Sequence, residues 1–159
     1  MALVFNDHIK PYRMLFGGNH PIMPVFKESA TTWKKGAVIL YTSGYAVEAT
    51  DGPTTGTIVG VAAGAASATE LEALVYPALP GATFIGRLAT GDTGGDLTSL
   101  VTHRGVKYGI SLEATTGVWY LNAADTSDVA VSLLNFIEPV GTNLCLVEFT
   151  FIDSFFNKA

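Results

Sequence analysis

The sequence predicts an all-β chain, a single domain of barrel or sandwich type preceded by an extended amino-terminal arm. Three observations predict it. From Gly36 onward, short runs rich in Val, Ile, Tyr and Phe recur every 8–12 residues or so, with Gly, Thr, Asp and Pro between them, which is the spacing of strands and turns. Hydrophobic residues make up 48% of the 159 and charged residues only 14%, so the chain can bury a core, and its low charge density predicts a surface partly covered by partners. The first 36 residues differ from the rest. Lys10, Arg13, Lys27, Lys34 and Lys35 face only Asp7 and Glu28, a net of +3, whereas residues 37–159 carry four cations and twelve carboxylates, a net of −8. Pro11, Pro21, Pro24 and the Gly17-Gly18 pair interrupt this leader, which shows neither a helical nor a strand period. Residues 1–32 therefore read as an arm and 33–159 as a β-rich body.

In the body, Ala37 to Tyr41 is β-branched and aromatic, and Thr42-Ser43-Gly44 turns it into a return strand at Tyr45 to Ala49. Thr50-Asp51-Gly52-Pro53 closes that hairpin. Thr57 to Ala63 lacks polar alternation and predicts a fully buried strand. Ser67 to Leu79 is ambiguous. Ser67-x-x-Glu70 and Thr69-x-x-Glu72 resemble capping boxes, but Pro77 and Pro80 leave barely two turns, so the extended reading is preferred. Thr83 to Leu88 predicts a strand and Ala89 to Ser99 a loop. Val106 to Leu112 and Val118 to Leu121 predict a hairpin through Gly117. Val129 to Ile137 follows, then a turn at Glu138 to Asn143. In the last strand Val147, Phe149 and Phe151 alternate with Glu148 and Thr150, a period of two.

The acidic body argues against nucleic acid as a ligand, because phosphate binding needs a sustained basic face. The longest weakly polar run, Thr57 to Ala68, is too short to span a bilayer, and the start lacks the features of a signal peptide. A soluble protein with no membrane partner is expected. Cys145 is the only cysteine and sits in the apolar run Leu144 to Val147, where a thiol behaves as a small core group.

His8 and His20 fall in the arm, where nothing holds them for general-base work. His103, in Thr102-His103-Arg104-Gly105, reads as an exposed turn residue. Gly91 to Asp96 has two carboxylates but lacks the full ligand set of a strong calcium loop, and reads as an acidic loop. Gly56, Gly60 and Gly64 are spaced like a phosphate or helix-dimer motif without its context. On a strand they predict close approach of a neighbouring layer. Neither catalytic residue, metal, cofactor nor small-molecule substrate is expected. Trp119 reads as core, and Trp33 as an anchor where arm meets body.

Extended at about 3.3 Å per residue, the arm is long enough to cross a neighbouring subunit. Its apolar side chains alone do not offset the entropy of ordering it, so it is expected to be mobile until its backbone adds to a sheet edge on a partner. The candidate contacts with a capsid or a sister subunit are Tyr12, Arg13, Leu15, Phe16, Ile22, Met23, Val25, Phe26 and Trp33.

Trp33-Lys-Lys-Gly-Ala-Val-Ile-Leu-Tyr41, followed after a hairpin return by Thr57-Ile-Val-Gly-Val-Ala-Ala63, resembles the capsid decoration (cement) proteins of tailed bacteriophages. Leu79-Pro-Gly-Ala-Thr-Phe-Ile-Gly-Arg87 and Gly117-Val-Trp-Tyr-Leu121 are similar to that family too, so the likeness spans residues 31–152. The resemblance implies a non-enzymatic, β-barrel-like or tulip-shaped subunit. It implies a homotrimer on the outer capsid surface of the virion, clamping neighbouring major capsid proteins. A tail, fibre, baseplate or adhesion β-module shares the Gly/Thr-rich strands, but such modules more often carry repeats or a coiled-coil stalk, and neither is visible here. A small hydrolase is the third reading and needs a convergent acid–base cluster.

Overall fold

The computed structural model describes residues 8–53, 56–90, 101–137 and 145–156. Among them there are eleven strands and one 3-10 turn at Val101–His103, with no α-helix. The strands are β1 (Lys10–Met14), β2 (Met23–Phe26), β3 (Val38–Thr42), β4 (Tyr45–Glu48), β5 (Ile58–Ala62), β6 (Glu72–Pro77) and β7 (Ala82–Ala89). They continue with β8 (Lys107–Leu112), β9 (Trp119–Asn122), β10 (Val131–Phe136) and β11 (Leu146–Phe151).

Five strands close a barrel in the order β7-β11-β10-β8-β9. The closing seam is a parallel pairing of β9 with the second half of β7, Leu88 opposite Leu121 and Ala89 opposite Asn122. The first half of β7 takes β1 as an antiparallel neighbour, with Lys10 opposite Ile85 and Met14 opposite Ala82. β7 is buried along its whole length, and β11 pairs along its other margin. Phe84, Phe149 and Phe151 pack ring to ring, with centroids 5.4–6.0 Å apart. Gly86 leaves the room they need, since a Cβ there would lie 2.9 Å from the Phe149 ring.

The second sheet runs β2-β6-β5-β3-β4. It curls until its ends meet at a parallel bridge between Lys27 and Ala46. β5 is buried throughout, as its unbroken apolar run predicts. Of the three spaced glycines only Gly60 lies in a strand and meets a neighbouring backbone. A Cβ there would sit 2.0 Å from the Tyr76 carbonyl oxygen, whereas nothing lies within 4 Å of Gly64. Side-chain hydrogen bonds join this sheet to the barrel, among them Trp119 Nε1 donating to Glu48 at 3.0 Å and the Leu112 amide donating to Asp51 at 2.8 Å.

The ambiguous stretch resolves as extended. Residues 72–77 are β6, and the capping-box pair survives only as a local bond from the Ser67 amide to the Glu70 carboxylate. The leader corrects an expectation. It contains two strands, and each lies on a sheet edge of this same chain, so the backbone pairing that the arm requires is found at home. The gain is the one foreseen, hydrogen bonding along an edge; the edges belong to β7 and β6. The candidate calcium segment Gly91 to Asp96 and the turn Glu138 to Asn143 lie outside the described residues.

Candidate interaction surface

β1 is fastened by more than its ladder. Arg13 donates from Nε and Nη2 to the two oxygens of Glu148, at 2.7 and 2.9 Å, and the Thr83 hydroxyl donates to the Arg13 carbonyl at 3.1 Å. Glu148 is only 1% exposed on β11, so the two-pronged guanidinium supplies the charge that a buried carboxylate requires. Glu148 raises the pKa of Arg13, first through the hydrogen bond and then through its charge.

After β1 the chain turns at Gly17 and Gly18, both at φ +88°. The Leu15 amide bonds the Gly81 carbonyl, and the Phe16 ring lies over the Gly81 α-carbon, in space that a Cβ would fill. Phe16 is otherwise 88% exposed. His20, expected to be unanchored, is wedged between Tyr76 and Phe84 at centroid distances of 5.6 and 4.9 Å. Neither of its ring nitrogens reaches hydrogen-bond geometry. Burial holds its pKa below 6.5, outweighing the nearby Pro21 and Thr83 backbone.

β2 has an inverted polarity. Lys27 N–H donates to Leu71 of the β6 side, and the next amide, Glu28, donates to Ala46 of the β4 side, the alternation of a strand. Val25 and Lys27 are buried while Ile22, Pro24 and Phe26 face out. Lys27 is only 2% exposed, and its Nζ donates to the Glu28 and Thr31 carbonyls at 3.0 and 2.6 Å and lies 6.0 Å from the Trp33 ring. Phe26, beside it, is 66% exposed. Across the ladder Pro24 faces Leu74 and Phe26 faces Glu72, so the exposed Leu74 joins the same outer face, with exposed Leu71 at its end.

Of the nine leader residues proposed from the sequence, Tyr12, Arg13, Leu15, Phe16, Ile22 and Phe26 are exposed, and Met23 is half-buried. Val25 and Trp33 are corrected: both are core residues, 3% and 4% exposed. Trp33 does anchor the junction, through paired backbone bonds with Ala66. Pro24, Leu71, Glu72 and Leu74 were missed. Reading 72–77 as a strand beside an exposed Phe26 is the signal that identifies them.

An open cleft of about 330 Å³ lies between the sheets, lined by Thr32, Trp33, Lys34, Glu48, Leu112 and Gly117. Burial pushes the Glu48 carboxyl up, against the opposing pull of the Trp119 bond and Lys34. Lys34 Nζ donates to the Thr116 carbonyl at 2.7 Å. Both polar groups are thus engaged in joining the sheets. Glu113, nearby in sequence, is drawn below the usual carboxylate range, first by the Thr116 hydroxyl and also by the Thr115 and Thr116 amides it caps. His103, expected to be exposed, is half-buried beside Tyr108 and Phe136, and burial lowers its pKa. Among the described residues no group of three or more His, Cys, Asp or Glu is placed to hold a metal ion.

Neither the protein-family models nor the curated proteins give a match to this chain.

Proposed function

We propose that this protein is a structural virion subunit, a decoration protein that binds the outside of a tailed-phage capsid as a trimer and clamps neighbouring major capsid proteins. One observation carries the reading: along β2 and its flanks an apolar row of Ile22, Pro24 and Phe26 faces solvent, while Lys27, just after Phe26, is held inside. In a lone monomer Lys27 gains its carbonyl contacts, but the apolar row beside it gains none. A subunit whose outer face is covered gains both contacts. The resemblance of residues 31–152 to decoration proteins supplies the kind of partner. The docked leader changes how the clamp works: its side chains are presented on formed sheet edges, so little ordering entropy is lost when a partner arrives.

The test is to mix purified protein with undecorated, expanded capsids and measure bound copies against concentration. Saturable binding in multiples of three, with raised capsid stability, is expected. Absence of binding to every expanded capsid tried refutes the reading.

A further inference from the structure

Two unlike patches occupy different sheets. The first is the outer β2–β6 face, where Ile22, Phe26 and Leu74 are 52%, 66% and 53% exposed. Glu72 lies on that face, and exposed Glu28 and Glu70 lie just beyond the ends of its strands. It is apolar with an acidic rim. The second patch surrounds β1. Gly36 closes against His8 and Ile9, so that a Cβ on Gly36 would lie 2.8 Å from the His8 Cβ. That contact brings the exposed Lys35 next to the start of β1, where Lys10 is also exposed. Tyr12, Leu15 and Phe16 continue this patch as exposed apolar groups. It is aromatic with a basic rim.

We infer that the acidic, apolar β2–β6 face of one copy of this chain docks on the basic, aromatic β1 face of the next. This names the contact surfaces of the self-assembly in the reading above and rests on it. Three features favour a second copy as the occupant. The two rims have opposite charge, which steers encounter and rejects face-to-like-face pairing. The apolar groups at their centres, Phe26 and Phe16 foremost, are large exposed side chains of the kind that anchor interfaces. The patches are different surfaces, so the contact is head-to-tail, and a head-to-tail contact closes a ring when its rotation permits.

Charge reversal tests the pairing in the full chain. Lys10→Glu with Lys35→Glu makes the first rim acidic, and Glu28→Lys with Glu72→Lys makes the second basic. All four are exposed, so circular dichroism and the melting temperature should stay near wild type. Sedimentation velocity over a concentration series should show each double variant assembling about tenfold more weakly, with less dependence on salt. The fourfold variant restores opposite signs at every contact of a closed ring and should recover assembly. Phe26→Asp should abolish it. A wild-type chain that stays monomeric at high concentration overturns the self-assembly reading itself. A wild-type assembly unaffected by the double variants, or a fourfold variant that fails to recover, overturns only this choice of surfaces.

Discussion

Replacing Gly60 by alanine tests the close approach of β5 to β6. The added Cβ would lie 2.0 Å from the Tyr76 carbonyl oxygen and 2.9 Å from the Pro77 α-carbon, and ordinary contact begins at 3.4 Å. The difference, about 1.4 Å, must come from moving one strand against the other, since both obstacles are backbone. Two ladder bonds flank the site, Ala78 N–H to the Val59 carbonyl at 2.8 Å and Ala63 N–H to the Leu74 carbonyl at 2.9 Å. A shift of that size stretches them beyond hydrogen-bond range. Each lost bond costs about 1 kcal/mol and overpacking a core about 1–3 kcal/mol, so Gly60→Ala should destabilise by about 3–5 kcal/mol. For a chain of this size that corresponds to a melting temperature lower by about 6–20 °C. Gly64→Ala is the internal control, with the same chemistry and spacing but nothing within 4 Å. Urea unfolding of both variants reads the difference. Equal stabilities for the two would refute the claim that β5 is locked by its glycine.

Three further outcomes follow from side chains described above. Arg13→Met leaves the buried Glu148 carboxylate without its guanidinium, so hydrogen exchange should show amide protection lost over residues 10–14 while β10 and β11 retain theirs. His20 has its pKa depressed by burial, so the unfolded chain takes up its proton first. Stability should be full above about 6.5 and fall with acidification through the lower native pKa. His20→Phe should flatten that part of the profile measured by thermal unfolding against pH. Glu48 has the opposite sign: burial raises its native pKa above 4.5, so its contribution is present below the unfolded value and is lost as pH rises through the native one. Glu48→Gln, which still accepts from Trp119, should therefore be at least as stable as wild type at pH 7 and lack that loss.

Much of the body is legible in the sequence because its strands bury one or both faces against a core that local periodicity encodes. β5 reads as unbroken apolar residues since both its faces are covered, and the β8–β9 hairpin reads from its apolar runs and Gly117. The leader is illegible for the converse reason. Across β2 and the Lys27 that follows it the alternation is real but mixed, with Val25 and Lys27 inside and Pro24 and Phe26 outside, so hydropathy reports no period. In β1 the polar Arg13 serves a carboxylate 135 positions away, a pairing that no local pattern announces. Glu148 itself reads as the solvent side of an alternating strand, and is buried because β1 and its arginine cover it. The same limit applies to the surface. Leu74 becomes part of an outer row only when β6 is laid beside β2.

The division of β7 between two partners has a mechanical consequence. One margin of that strand holds β1 over its first half and β9 over its second, so the docked leader and the seam of the barrel share a single girder. Tension on the leader passes through the Arg13 clasp to β11 and along β7. The load is thereby spread over the whole hoop of strands.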